Sequence, residues 1–299
     1  MNTPTPDIQQ NDSLERSWLQ RHKWLLLRRL TQLLVFSLFL IGPLAGIWII
    51  KGNLSSSLTL DILPLSDPFI AVQSLFAGQY LSTVIITGAI IVSLFYLLVG
   101  GRVYCSWLCP INIATDSASW LRKKLNIKSS SLFPRNTRYW LLTVTFVMAL
   151  ITGTLSWELI NPVSLVQRGI INGLLISGLI LLVIFLFDLL ISRDAWCGHI
   201  CPVGAFYSLF GRMGVIRISA YQRNKCDNCM DCFLVCPEEQ VIHPALHGEK
   251  HNASPLILNL NCTNCGRCID VCDKQVFKFT SRFNHSTISN EYQNQESSQ

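Results

Sequence analysis

Four long apolar stretches constrain this chain more than any other feature of its sequence. A transmembrane helix needs about 20 apolar residues. Half of all residues are hydrophobic and only 14% are charged, whereas soluble domains carry about 25% charged residues. This balance excludes disordered, collagen-like and coiled-coil chains. The sequence therefore predicts an α-helical membrane protein with four transmembrane helices arranged as two hairpins, over Leu30–Ile50, Tyr80–Val99, Tyr139–Trp157 and Ile170–Ile191.

The distribution of Lys and Arg predicts the orientation of these helices. The segment before the first stretch, the loop between the second and third, and the C-terminal region carry five, seven and ten of the 24 basic residues. The other two loops carry one each. Because basic loops stay in the cytoplasm, both termini are predicted to be cytoplasmic. The net charge of +6 is thereby explained by topology and contact with anionic lipid, so no nucleic-acid partner is predicted.

The C-terminal region contains the spacing C-x2-C-x2-C-x3-C twice, which is typical of ferredoxins with two 4Fe-4S clusters. Three thiolates of one run are close enough to bind one cluster, and the fourth leads away to the other cluster. The first predicted cluster is held by Cys226, Cys229, Cys232 and Cys272. The second is held by Cys262, Cys265, Cys268 and Cys236.

Zinc sites and disulfides are the alternatives for these eight cysteines. A tetrahedral zinc site is typically built from two separate CxxC pairs, whereas each run here continues past its CxxC pair with a third and a fourth cysteine, which disfavours zinc. Disulfides are disfavoured because the predicted compartment is reducing. Asp273 stands where the second run would usually have proline, which changes the following turn and not the set of thiolates.

The remaining four cysteines form a second repeat, in which an aromatic residue precedes C-x3-C-P. The two copies contribute Cys105 with Cys109 and Cys197 with Cys201, each at the end of an even-numbered apolar stretch. In a helix, cysteines four residues apart share one face, so the two pairs could meet and bind a metal or a cluster. A redox-active dithiol and buried structural thiols remain open as alternatives.

These features divide the chain into four parts. Residues 1–29 are a cytoplasmic N-terminal tail, and residues 30–217 form the transmembrane domain with both CxxxCP motifs. Residues 218–280 form a small cytoplasmic α+β domain that resembles a ferredoxin with two clusters. Residues 281–299 are a polar tail.

The chain resembles the NapH-like family of ferredoxin-type membrane proteins over nearly its full length. The resemblance rests on both cluster runs and on stretches that include residues 24–30, 52–58, 157–165 and 196–205. It implies a multi-pass protein of the bacterial inner membrane that acts as an electron-transfer component of a quinol dehydrogenase. It also implies a soluble periplasmic iron–sulfur partner similar to NapG, and electron delivery to a periplasmic nitrate reductase.

Two functions follow from these observations. The first is electron transfer from quinol through the iron–sulfur centres, and the alternative is an assembly or maturation factor that reduces thiols or a metal site of a partner. Glu158, near the outer end of the third stretch, is the predicted acceptor of a quinol proton, because ionisable groups at that depth mark functional sites. An interfacial acid without a catalytic role is the alternative for this residue.

Overall fold

The structure, a computed structural model, describes residues 17–46, 48, 50–59, 62–127, 134–173, 175–248 and 253–283. Residues 1–16 of the predicted N-terminal tail and 284–299 of the predicted polar tail lie outside the described residues. The described part is mostly helical. Its α-helices are α1 (Trp18–Arg21), α2 (Lys23–Ala45), α3 (Pro68–Phe76), α4 (Thr83–Val99), α5 (Ile111–Lys124), α6 (Thr137–Thr152), α7 (Ser156–Ile160), α8 (Pro162–Ile171), α9 (Ile176–Leu190), α10 (Pro202–Phe210), α11 (Asp231–Val235), α12 (His243–His247) and α13 (Arg267–Val271).

Each predicted apolar stretch overlaps a long helix, and these helices are α2, α4, α6 and α9. Of the described helices, α2 alone, with 23 residues, is long and apolar enough to cross a membrane. The other three have 17, 16 and 15 residues. Because a helix rises about 1.5 Å per residue, they are shorter than the hydrocarbon core of a bilayer.

The helix boundaries differ from the predicted stretches for local reasons. Gly153, in the left-handed conformation with φ of 64°, ends α6 before Trp157, which belongs to α7. The predicted stretch Ile170–Ile191 begins inside α8 and continues in α9 after a turn. At the end of the first stretch, Ile50 lies in a strand and not in α2.

Two short helices that the apolar pattern did not predict complete the helical core. Helix α3 begins at Pro68 and α8 at Pro162, and the preceding Asp67 and Asn161 cap them through their side chains. Proline suits the first helical turn and Asp or Asn the cap, so both starts follow from the sequence. Helix α3 packs on α4 and α6, α8 packs on α9, α5 packs on α9, and α10 packs on α6.

Two small antiparallel sheets lie outside the helical core. The first joins β1 (Ile50–Gly52), β2 (Ser56–Thr59) and β3 (Leu63–Ser66). The second pairs β4 (Ile216–Ser219) with β5 (Lys278–Ser281), and Ile216 lies opposite Ser281. This pair joins the beginning and the end of the C-terminal cysteine-rich region. A separate apolar core, which includes Ile218, Ile242 and Phe277, fills this region.

Candidate functional site

The two C-terminal cysteine runs have the same local conformation. In each run the third cysteine lies in a five-residue helix, Cys232 in α11 and Cys268 in α13, and the fourth cysteine ends that helix. The residue before each helix, Met230 or Gly266, is in the left-handed conformation. This conformation turns the chain sharply after the second cysteine, so that three cysteines of a run lie close together.

The fourth cysteine of each run lies with the other run. One cavity is lined by Cys226, Cys229, Cys232 and Cys272. A second cavity is lined by Cys236, Cys262, Cys265 and Cys268. Helices α11 and α13 pack against each other, and the cysteine at the end of each helix therefore reaches the cavity of the other run. The structure thus brings together the two sets that the spacing predicts.

The chemistry of these two quartets fits iron–sulfur clusters better than zinc or disulfides. All twelve cysteines are unbridged. Within the described ranges, no three Cys, His, Asp or Glu side chains are close enough to hold a single metal ion. A zinc ion needs its sulfur ligands at about 2.3 Å, whereas a cubane binds each thiolate to a different iron and spreads the sulfurs further apart. The spacing C-x2-C-x2-C-x3-C and the convergence of four cysteines on each cavity therefore fit an iron–sulfur cluster in each.

The CxxxCP motifs form two matching π turns, Tyr104–Leu108 and Trp196–Ile200. The N–H of Cys109 donates to the Tyr104 carbonyl at 3.0 Å, and the N–H of Cys201 donates to the Trp196 carbonyl at 2.9 Å. These five-residue turns replace the α-helical turn that the spacing predicts. Short π segments are rare and often occur at functional sites.

All four CxxxC thiols line one cavity, together with Asp67 and Asn161. The two pairs therefore meet, although they lie about ninety residues apart in the chain. A Cβ atom on Gly204 would lie 3.7 Å from the Cys105 sulfur, which is an ordinary van der Waals distance, so the start of α10 lies beside this thiol. We call these four residues the CxxxC quartet.

The first π turn is hydrogen-bonded to the loop that carries the second ferredoxin quartet. Ser106 donates its hydroxyl to the Thr263 carbonyl at 2.8 Å, and the Trp107 indole donates to the Asn264 carbonyl at 3.1 Å. Thr263 and Asn264 lie between Cys262 and Cys265. Two hydrogen bonds from side chains to backbone carbonyls therefore join the π turn of the CxxxC quartet to the loop of the second ferredoxin quartet.

A buried ion network strengthens this contact. Glu238, two residues after Cys236, accepts from Arg102 at 2.6 Å and from Arg138 at 3.0 Å, and all three side chains are at most 2% exposed. Burial by itself would raise the pKa of Glu238, but the guanidinium groups of Arg102 and Arg138 lower it to about 2. Arg102 also donates to the Cys197 carbonyl at 3.2 Å. One arginine thus contacts both π turns and the ferredoxin region.

Sequence reasoning did not identify these charged residues. Arg102 and Arg138 had been counted only as basic residues of a cytoplasmic loop. Their positions offered a signal, since Arg102 lies three residues before Cys105 and Glu238 follows Cys236-Pro237. A charged residue beside a buried motif usually requires a partner of opposite charge.

Glu158, the predicted proton acceptor, lies in α7 beside the cavity of the CxxxC quartet. Its carboxylate accepts from Ser164 at 2.6 Å, from Asn161 at 3.2 Å and from Ser55 at 3.4 Å. It also pairs with Arg168 at 3.7 Å. These contacts tie the first sheet to the start of α8, and the catalytic role of Glu158 stays a prediction.

Comparison with known proteins agrees with this arrangement. A family model described as "4Fe-4S binding domain" matches residues 81–128 and 174–220, which contain the CxxxC quartet. A second, described as "4Fe-4S dicluster domain", matches residues 225–276. No solved structure matches.

Three relatives match nearly the whole chain. "Ferredoxin-type protein NapH" of Haemophilus influenzae is 47% identical, over 94% of this chain and 98% of its own. "Ferredoxin-type protein NapH" of Escherichia coli is 48% identical, over 90% of this chain and 93% of its own. "Methylamine utilization ferredoxin-type protein MauN" of Paracoccus denitrificans is 53% identical, over 89% of this chain and 93% of its own.

Proposed function

Because this chain belongs to the family of ferredoxin-type proteins that includes NapH and MauN, we propose that it passes electrons from a membrane quinol toward a periplasmic acceptor. The matched domains support the coarser part of this function, iron–sulfur electron transfer. The finer part is that the electrons reach a periplasmic nitrate reductase through an iron–sulfur subunit similar to NapG. The name MauN refers to methylamine utilisation, so the acceptor is the part that needs an experiment most.

The observation that carries the proposal is the contact between the second ferredoxin quartet and the CxxxC quartet. Cys226, Cys229, Cys232 and Cys272 would hold one cluster, and Cys262, Cys265, Cys268 and Cys236 the other. Such clusters accept and donate single electrons, whereas the protein supplies their position and electrostatic surroundings. The hydrogen bonds of Ser106 and Trp107 would make the CxxxC quartet the next position on the route.

We further propose that the CxxxC quartet holds a redox-active metal centre. The description of the matched domain supports this, as does the convergence of four thiols on one cavity. Burial raises the pKa of the Cys105 thiol, and the nearby cations Arg102 and Arg138 oppose this rise, so they would stabilise a thiolate ligand there. Burial of the site would keep water away from it.

The proposed location is the bacterial inner membrane, with both termini in the cytoplasm. The alternation of basic and neutral loops supports four spans, and the exposed apolar side chains of α4, α6 and α9, such as Leu94, Leu150 and Leu182, are suited to lipid. With this orientation the ferredoxin quartets lie on the cytoplasmic side and Glu158 lies near the periplasmic side.

An assembly or maturation factor is the alternative function. Direct reduction of a partner's thiols would require accessible cysteines. Cys105 and Cys109 are each only 9% exposed, which favours internal electron transfer for this pair, whereas Cys197 and Cys201 are only partly buried, so their variants bear most on the alternative.

Anaerobic purification followed by iron and sulfide analysis and by EPR tests the proposal. Two clusters require about eight irons per chain, and a third cluster on the CxxxC quartet would raise the count to about twelve. The appearance of the EPR signals of reduced clusters after addition of a quinol would support the proposed function. Zinc in place of iron and sulfide, or clusters that dithionite reduces and quinol does not, would contradict it.

A further inference from the structure

We propose that quinol binds in a cleft between α2, α5 and the ferredoxin region, which we call the α2–α5 cleft. It is much larger than the cavities of the three cysteine quartets, and its walls include Leu26 and Arg29 of α2, Ser117 and Trp120 of α5, and Leu234 of α11. The inference rests on the proposed function and adds where the substrate binds and which groups contact it.

The cleft has an apolar entrance. Leu26, Trp120 and Leu234 are 40%, 63% and 55% exposed, and Phe185 of the apolar helix α9 continues the same wall. Apolar side chains that line a cleft beside a membrane-length helix suit the isoprenoid part of a quinol, which is dissolved in the bilayer. Lys123 and Arg193 at the rim are typical of the cytoplasmic membrane surface.

The floor of the cleft is polar and carries more positive than negative charge. The Asp116 carboxylate contacts both Arg29 and Arg267, and Arg28 lies 3.7 Å from it. Within the described part of the chain, Nε and Nη1 of Arg28 have no hydrogen-bond partner, although this side chain is only 1% exposed. Three guanidinium groups around one carboxylate would stabilise the oxygen of a quinol as it loses its proton.

The other walls supply carboxylates as well as cations. Asp231, Asp270 and Asp273 line the ferredoxin side of the cleft, so it offers acceptors beside the donors of its arginine residues. The hydroxyl groups of a quinol can donate to carboxylates and accept from guanidinium groups. The cleft therefore matches a molecule with an uncharged polar head and an apolar tail.

The position of the cleft also fits a donor of two electrons. Leu234 and Val235 of its wall lie between Cys232 of the first quartet and Cys236 of the second, and Val271 precedes Cys272. In the proposed step, quinol loses two protons and two electrons and becomes quinone. The two ferredoxin quartets would hold the oxidant, two iron–sulfur clusters that can each accept one electron.

His22 supplies a place for one proton. It lines the cleft, and its Nδ1 lies 3.0 Å from the Trp18 carbonyl oxygen. Because a carbonyl only accepts, Nδ1 carries the hydrogen and Nε2 is left as the proton acceptor. The second proton goes to water at the open side of the cleft.

Filling the cleft tests the proposal. Ser117 is exposed on α5 and its hydroxyl bonds only to its own helix, so Ser117→Trp should fill the cleft without unfolding the protein, and Ser117→Ala is the matched control. We expect Ser117→Trp to bind decylubiquinone at least about tenfold more weakly by calorimetry. The reduction of its clusters by decylubiquinol should slow by a similar factor, with normal iron content and normal reduction by dithionite. Ser117→Ala should match the wild type.

The outcomes separate this inference from the proposed function. If decylubiquinol reduces the wild-type clusters and Ser117→Trp behaves like the wild type, the function stands and the cleft is not the site. If phosphatidylglycerol displaces decylubiquinone from the cleft at equal concentration, the site is a lipid site and the inference is wrong. If quinol fails to reduce the wild-type clusters, the proposed function fails, and calorimetry still decides whether quinone binds in the cleft. Leu234→Trp fills the cleft from the opposite wall and replaces Ser117→Trp if that variant loses iron.

Discussion

The first repeat, residues 67–124, and the second repeat, residues 161–210, share a plan and differ in their last helix. Both begin with a capped helix that starts at proline, continue through an apolar helix, and form a π turn with two cysteines. Helix α5 of the first repeat has 14 residues and reaches the ferredoxin region, whereas α10 of the second has nine and is mostly buried. Duplication thus explains the shared thiol site, and divergence explains why the last helix of the first repeat lines the α2–α5 cleft and that of the second does not.

The repeats also carry opposite charges at matched positions. Arg102 and Asp194 each lie three residues before the first cysteine of their motif. Arg102 bonds to Glu238 of the ferredoxin region, whereas Asp194 accepts from Ser119 of the first repeat at 3.1 Å. At this matched position the first repeat therefore contacts the ferredoxin region, whereas the second repeat contacts the first.

The largest expected effect tests whether the two repeats build one site. Cys105→Ser and Cys197→Ser should each slow electron flow from quinol to the external acceptor on the order of 100-fold or more, because either removes a ligand of one centre. The double variant should be no slower than either single variant. Rates in membrane vesicles, with EPR of the ferredoxin clusters as control, measure this. Effects that multiply in the double variant would mean two independent thiol pairs.

The second effect tests whether the ion network of Glu238 stabilises the packing of the ferredoxin region on the helical core. Glu238→Gln leaves Arg102 and Arg138 buried without their counter-charge, which should cost about 3–5 kcal/mol of stability. Thermal unfolding of the purified protein measures the loss. The double variant Arg102→Gln with Glu238→Gln should recover part of it. If Asp194→Asn proves as destabilising as Glu238→Gln, the asymmetry between the repeats is wrong.

The third effect uses the difference between Asp67 and Asn161, which cap the first helix of each repeat. Burial raises the pKa of Asp67 to about 6 from 3.8, against the opposing hydrogen bonds from Phe69 and Tyr207. A raised carboxyl pKa lowers stability as pH rises from about 4 through 6. Asp67→Asn should therefore be more stable than the wild type at pH 7, by up to about 2 kcal/mol since the carboxyl is only half-buried, and equal to it near pH 4. Thermal unfolding over this pH range measures the difference, and parallel pH profiles would contradict it.

These comparisons show which parts of the molecule the sequence predicts. The two ferredoxin quartets follow from spacing because three ligands of each lie on one turn, within seven residues. The meeting of Cys105 and Cys197 required the duplication to be recognised, and the structure adds the π turns. The NapH-like resemblance was confirmed, since two NapH relatives match at least 90% of the chain.

The sequence was less informative where partners are distant. Nothing in the sequence links Arg28 and Arg29 to a carboxylate, yet both contact Asp116, which lies 87 residues after Arg29. Short helices such as α3 lack the length that an apolar pattern needs. The starts of α3 and α8 are marked in the sequence by Asp67 and Asn161, each followed by proline. These signals are local and do not belong to the pattern of long apolar stretches.

The smallest expected effect compares the α2–α5 cleft with the cavity of the CxxxC quartet as the place of quinol oxidation. Glu158→Gln keeps a polar group among Ser164, Asn161 and Ser55, so the contacts of its side chain are largely preserved. If quinol is oxidised in the cleft, quinol should reduce the clusters of Glu158→Gln at a rate within about twofold of the wild-type rate. The clusters of Ser117→Trp should be reduced more slowly than that. A tenfold slowing in Glu158→Gln with normal iron content would instead support Glu158 as the proton acceptor. Electrons would then enter at the CxxxC quartet, and the ferredoxin clusters would no longer lie between quinol and the periplasmic acceptor.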